Sequence, residues 1–335
     1  MQLTRVHAAG VAMILLCVMT GCAGGPASPQ STPTPSATET EAPTPRAAAP
    51  AFDGDCSAAM SDSEAAAASG TATATFSSDW VPAVTAGGIL CRWDIGNWGT
   101  FDLTVYPIEV VPAHIVADYA TAGCNPDAAD ETGICSSALS TPAAWIMIER
   151  VGGGEVLTEV PAGFPEALRL IATRLEAAGE PAPAERADTW WGDVDCGPFA
   201  AEVAVAERLG SDFEEGYPGD GMPHIATVIA EESGFVPSCQ WYGYPDGWGA
   251  TAGVTMYPGG APLWDALAAE VTGGVVVDVA GAENAIAWKV PSDAATTPSE
   301  GVLLTDGVNI ARLYLEGSAV DAPAFAAQVL AALAR

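Results

Sequence analysis

Nucleophilic hydrolysis needs a base held beside its nucleophile, usually a histidine. Beyond the first 22 residues this chain has two, His114 and His224. Neither lies near a Gly-x-Ser-x-Gly elbow, so surface or structural roles are expected for both and no catalytic residue is assigned. Gly152-Gly153-Gly154 sits between two β-like runs and reads as a turn; no Gly-x-Gly-x-x-Gly or Gly-x-x-x-x-Gly-Lys phosphate cradle is present. Carboxylates are plentiful, but no pair is singled out by an apolar setting that would raise one pKa, as glycoside hydrolysis requires. Asp127, Asp130 and Glu131 gather between Cys124 and Cys135 without the ligand spacing of an EF-hand, which favours a solvated loop over a calcium site. The thiols offer no Cys-x-x-Cys, so no metal or other cofactor is expected.

Aromatic side chains are the other route to function. Ten tryptophans include candidates for stacking on sugars or apolar ligands: Trp98 and Trp248 in two Gly-rich turns, and the adjacent Trp190 and Trp191. The turns belong to a stretch that occurs twice. Cys91-Arg-Trp93 leads through Trp98-Gly99 to Tyr106-Pro107, and Cys239-Gln-Trp241 leads through Trp248-Gly249 to Tyr257-Pro258. Period-2 placement puts the Cys and the first Trp of each copy on one strand face, where the indole can pack over a cystine. Trp93 and Trp241 are therefore assigned to the core.

Around each hairpin the same elements recur. Asp55 and Asp195 each precede an Ala-containing helical stretch, 57–69 and 197–209, and read as N-caps rather than metal ligands. A second helix is expected over 113–122 and 262–271. β-like runs follow at 133–139, 144–151 and 155–160, and again at 285–290, 301–304 and 309–315. Each half closes on an amphipathic helix, 165–178 and 322–333. The expected class is α+β, a tandem duplication of an antiparallel sheet covered by helices, with domains at 51–179 and 188–335 joined by a Pro-containing linker at 180–187. The repeat also selects among the 15 pairings open to six cysteines: Cys56 with Cys91, Cys196 with Cys239, and Cys124 with Cys135.

The amino terminus has another character. Arg5, an 11-residue apolar core over 8–18 and small residues before Cys22 read as a signal peptide, residues 1–22, with a lipid-attachment site at Cys22. A membrane span needs roughly 20 apolar residues, which this core does not supply. Residues 23–50 hold seven prolines among small polar residues and read as a disordered tether, reaching at most about 85–90 Å when extended. The chain carries 42 acidic residues against 11 basic ones, a formal charge of −31, which disfavours nucleic acid and anionic lipid as partners.

Cys56 with Cys91-Arg-Trp93, and Cys196 with Cys239-Gln-Trp241, resemble secreted actinobacterial lipoproteins of unassigned function, whose domains pair a Cys at the start of a first helix with a later Cys-x-Trp strand. The resemblance covers each half separately. It implies fold and an extracytoplasmic location, lipid-anchored to the outer face of the membrane, and carries no catalytic residues. The functional expectation is a non-catalytic binding or sensing module of the envelope for a small-molecule, glycan or protein ligand, seated in the cleft between the halves. An envelope hydrolase using carboxylates and a protein-interaction scaffold are the alternatives.

Overall fold

The computed structural model describes residues 46–79, 81–126, 133–152, 156–210, 212–216, 224–244, 249–290, 299–317 and 321–335. The segments expected to be a signal peptide and a tether, up to residue 45 and including Cys22, lie outside these, as do Asp127, Asp130, Glu131, Gly153, Gly154 and Trp248.

The first half runs α1 (Cys56–Ala59), α2 (Asp62–Ser69), β1 (Thr75–Asp79), β2 (Ile89–Asp94), β3 (Thr100–Pro107), α3 (Ala113–Asp118), β4 (Gly123–Asn125), β5 (Ile134–Ser140), β6 (Ala144–Val151) and α4 (Phe164–Ala178). The second runs α5 (Cys196–Glu202), α6 (Ala206–Leu209), β7 (Glu214–Glu215), α7 (Ile225–Glu232), β8 (Ser238–Gly243), β9 (Ala250–Tyr257), α8 (Trp264–Glu270), β10 (Val275–Val276), β11 (Asn284–Val290), β12 (Ser299–Thr305), β13 (Ile310–Glu316) and α9 (Ala322–Leu333). The strands form two antiparallel sheets, ordered β1-β2-β3-β6-β5-β4 and β7-β8-β9-β13-β12-β11-β10. In each, the Cys-x-Trp hairpin joins the last strand of its half and a C-terminal helix covers one face, so the class is α+β with the sheet duplicated.

The aspartates act as N-caps. Asp55 accepts the Ser57 amide and Asp195 the Gly197 amide. Each expected first helix is nevertheless two. Met60 is extended, and Ser61 with Glu64 forms a capping box that opens α2; in the second half the break falls at Ala204, whose φ is 54°. The strand expected at 155–160 does not form over 156–160. β6 already has β3 on one side and β5 on the other, so the sheet offers that segment no free edge beside it.

Three cystines join Cys56 to Cys91, Cys124 to Cys135 and Cys196 to Cys239, with Cα separations of 5.7, 4.0 and 5.3 Å. Three disulfides place the folded part in an oxidising, extracytoplasmic setting. No helix among the described residues is long and apolar enough to cross a membrane.

Alternation along the strands explains the layering. On one face of the first sheet, Cys91, Trp93, Phe101 and Leu103 pack beneath Phe164, Leu168 and Ile171 of α4. In the second sheet Cys239, Trp241 and Val254 meet Phe325 and Val329 of α9. The opposite faces share a third core, to which Leu90, Tyr106, Trp145 and Met147 come from the first sheet and Tyr257, Leu303 and Ile310 from the second. Between them lie Ile115 of α3, Ala226 and Ile229 of α7 and Leu267 of α8. The two halves therefore meet across a buried apolar seam, where Tyr106 donates its hydroxyl to the Ala226 carbonyl at 3.1 Å.

Along one side of this seam the expected joint is tied down. Ala49 and Ala182 exchange both backbone hydrogen bonds, and Glu185 donates its amide to the Arg46 carbonyl. Residues 46–50, read from sequence as the end of the tether, thus belong to the folded part. Gly87 is obligatory here, because at φ 74° a Cβ would lie 2.4 Å from the Ala182 oxygen.

Candidate functional site

Two features of the seam combine residues from both halves. The first is a groove of about 320 Å³ walled by Arg46, Val84, Ala187, Trp190, Pro262 and Leu263. Its aromatic wall is held from behind by Asn309. The Asn309 side-chain oxygen accepts the amides of Trp191 at 3.2 Å and Gly259 at 3.0 Å, while its amide nitrogen donates to the Thr189 carbonyl and to Asp306. All the capacity of this buried amide is used, so it fixes the 189–191 turn against the 259 turn. Gly259 lets the Trp190 ring close down on the backbone, since a Cβ there would come within 2.1 Å of the indole.

The second feature is a polar row on the seam side of the first sheet. Arg92, Asp102 and Glu149 are cross-strand neighbours on β2, β3 and β6. Arg92 donates from Nε and Nη2 to the two oxygens of Asp102, at 2.8 and 2.7 Å, and Asp102 is only 1% exposed. From the other half, His224 brings Nε2 to within 3.2 Å of Asp102 Oδ2, in an approach too bent for a full hydrogen bond. Its Nδ1 accepts the Ala226 amide at 3.1 Å and so caps α7. That bond assigns the neutral ring its proton on Nε2.

The two carboxyls are driven apart. Burial alone would raise Asp102, but the hydrogen bonds from Arg92 and the close approach of the His224 ring hold it below the usual carboxylate range. Burial pushes Glu149 above its ordinary value, helped by the charge of Asp102 and opposed by His224 and Arg92. At the same register the second sheet carries Gln240, Gly253 and Tyr314, so the fold does not itself require the row. His114 and Glu232 make another contact between the halves, at 3.6 Å. His114 and His224 thus each face a carboxylate across the seam.

Donor atoms of Asp102, Glu149 and His224 all lie within 4.8 Å of one another, close enough to surround an ion. The chemistry fits a proton better than a metal. An ion on Nε2 would require the ring proton on Nδ1, where the Ala226 amide already points, and Arg92 occupies both oxygens of Asp102.

The direction of the Glu149 shift gives a pH prediction. A carboxyl raised in the fold costs stability as pH climbs from its unfolded value, 4.5, through its folded one. Glu149→Gln, which mimics the protonated acid, is expected to match the native protein in urea unfolding at pH 4. At pH 8 it should have the higher midpoint.

The four candidate tryptophans do not come together. Trp190 lines the groove, Trp191 is buried in the second core, Trp98 is 99% exposed at the tip of the β2–β3 turn, and Trp248 lies outside the described residues. His224, expected in a surface or structural role, caps α7 and is drawn into the seam. Sequence reading missed Arg92, Asp102, Glu149 and Asn309. The available signal was a charged residue at the alternate positions of otherwise apolar strands, Arg92 between Cys91 and Trp93 and Asp102 between Phe101 and Leu103.

No family model and no curated protein matches the chain. Among solved structures, the di-domain ARO/CYC StfQ from the steffimycin biosynthetic pathway aligns at 12% identity over 68% of this chain and 69% of that one, with a TM-score of 0.15. A likeness that slight supports no statement about function.

Proposed function

We propose that this protein is a non-catalytic binding module of the bacterial envelope, held to the outer face of the membrane by a lipid on Cys22, and that its ligand seat is the seam groove at Trp190. The observation that carries the reading is the make-up of that groove. Its walls come from both halves, and it is mostly apolar, with Arg46 and Glu185 as its charged residues. That composition suits a small apolar ligand with one polar end. The cystines and the apolar segment ahead of Cys22 support export, and mass spectrometry of the mature amino terminus tests lipidation there.

Trp190→Ala is expected to weaken saturable binding of an uncharged fluorescent apolar probe about tenfold or more, with the fold retained by circular dichroism. Unchanged affinity would remove the groove from consideration. A carboxylate enzyme is the second reading, favoured by the opposite shifts of Glu149 and Asp102. It is the weaker one, because Arg92 already engages both oxygens of Asp102.

A further inference from the structure

A larger cavity, of about 410 Å³, opens beside the Cys56–Cys91 cystine in the first half. Asp55, Ser57, Met60, Asp62, Phe76 and Trp93 form its working walls, and among the described residues no lysine or arginine lines it. Asp62 Oδ1 accepts two hydrogen bonds, from the Trp93 indole at 3.1 Å and from the Phe76 amide at 3.2 Å. Its other oxygen has no hydrogen bond among the described residues. Phe76, 42% exposed on edge strand β1, stands edge-on to Trp93 with ring centroids 5.9 Å apart. An oriented carboxylate, a half-open aromatic ring and a second carboxylate on Asp55 thus surround a space with no cation of its own.

The second half shows that this arrangement is not demanded by the fold. There the corresponding tryptophan, Trp241, is packed by Phe199 of the first helix, with centroids 6.2 Å apart, and its indole nitrogen is buried without a hydrogen-bond partner among the described residues. The position at the same spacing from the cystine in the first half is Ala59. An indole in this place can therefore do without a carboxylate, and an aromatic on the helix is what the first half lacks. A cavity of about 290 Å³ also opens at the start of the second half's first helix, lined by Asp195, Phe199 and Glu202, but there Arg335 lines it and pairs with Glu202 at 3.5 Å. What is particular to the first half is a cavity whose carboxylate meets the indole and has no cation beside it among the described residues.

We propose that the cavity binds an organic ammonium group, with Asp62 as its counter-ion and the Phe76 ring as its cation–π wall. Carboxylate and ring face complement a charged nitrogen that carries apolar substituents, and the net charge of −31 concentrates cations around the protein. This site is separate from the seam groove, so failure of either leaves the other standing.

Choline and its neutral isostere 3,3-dimethylbutan-1-ol, titrated into the mature protein with calorimetry and the indole N–H resonances as readouts, make the test. Choline should bind saturably, shift the Trp93 indole signal and weaken in high salt, while the alcohol should not bind. Asp62→Asn, whose side-chain oxygen still accepts from the indole, should lose affinity about tenfold or more, and Phe76→Ala about threefold to tenfold. Trp190→Ala should bind choline as the native protein does. Absence of saturable choline binding, equal binding of the alcohol, or full affinity in Asp62→Asn would overturn the proposal.

Discussion

Asp102→Asn is expected to lower the unfolding free energy at pH 7 by about 2–4 kcal/mol, among the largest losses open to a single seam substitution. The carboxylate is almost wholly buried and takes two hydrogen bonds from Arg92 and a close approach from His224. Asparagine would turn an NH2 group toward one of those donors and leave the guanidinium without its counter-charge. Because Arg92 remains partly solvated, the expected loss lies below that of a fully interior pair. The pH dependence has a fixed sign. A carboxyl lowered in the fold stabilises above its unfolded value, 3.8, and that contribution disappears as pH falls through the folded value. Urea unfolding of the variant and the native protein should therefore differ at pH 7 and converge in strong acid. Arg92→Met combined with Asp102→Leu should cost less than Asp102→Asn alone, since no buried charge is left unpaired.

Removal of the Cys196–Cys239 cystine, by alanine at both positions, is expected to cost about 4 kcal/mol, and removal of Cys56–Cys91 about the same. Loss of the Cys124–Cys135 cystine should cost about 3 kcal/mol. The order follows from sequence separations of 43, 35 and 11 residues, because a longer closed loop withholds more conformational freedom from the unfolded chain. Each long cystine also ties a first helix to the hairpin whose tryptophan fills the core, so its loss should free α1 or α5 before the sheet opens. Equilibrium unfolding of the three paired variants checks the order, and amide exchange checks where opening begins. An equal cost for all three would mean that loop closure is not what these bridges contribute.

Local signals carried the parts of the fold that local physics decides. The Asp caps before α1 and α5, the alternation along the two hairpins and the 3.6-residue period of α4 and α9 each depend on residues a few positions apart, and each is visible as a spacing. The breaks within the first helices were legible in principle, since Ser61 and Glu64 spell a capping box inside the Ala-rich stretch. What sequence could not show was the seam. Arg92, Asp102 and Glu149 are 10 and 47 residues apart in the chain and become neighbours only through strand register, while His224 arrives from the other half. Asn309 looks like an ordinary turn residue until the 189 and 259 turns close on it. The tryptophan candidates separated for a related reason. Identical residue types sit on a turn tip, in a core and on a groove wall, and only tertiary packing tells these apart.

Photolabelling of the mature protein with an apolar diazirine probe, followed by peptide mapping, tests most directly whether the seam holds the ligand. Labels are predicted on the segments around Ala187–Trp190 and Pro262–Leu263, protected by excess unlabelled probe and lost in Trp190→Ala. Protected labelling confined instead to the exposed turn at Trp98, or spread over the surface without protection, would contradict a ligand seat between the two halves.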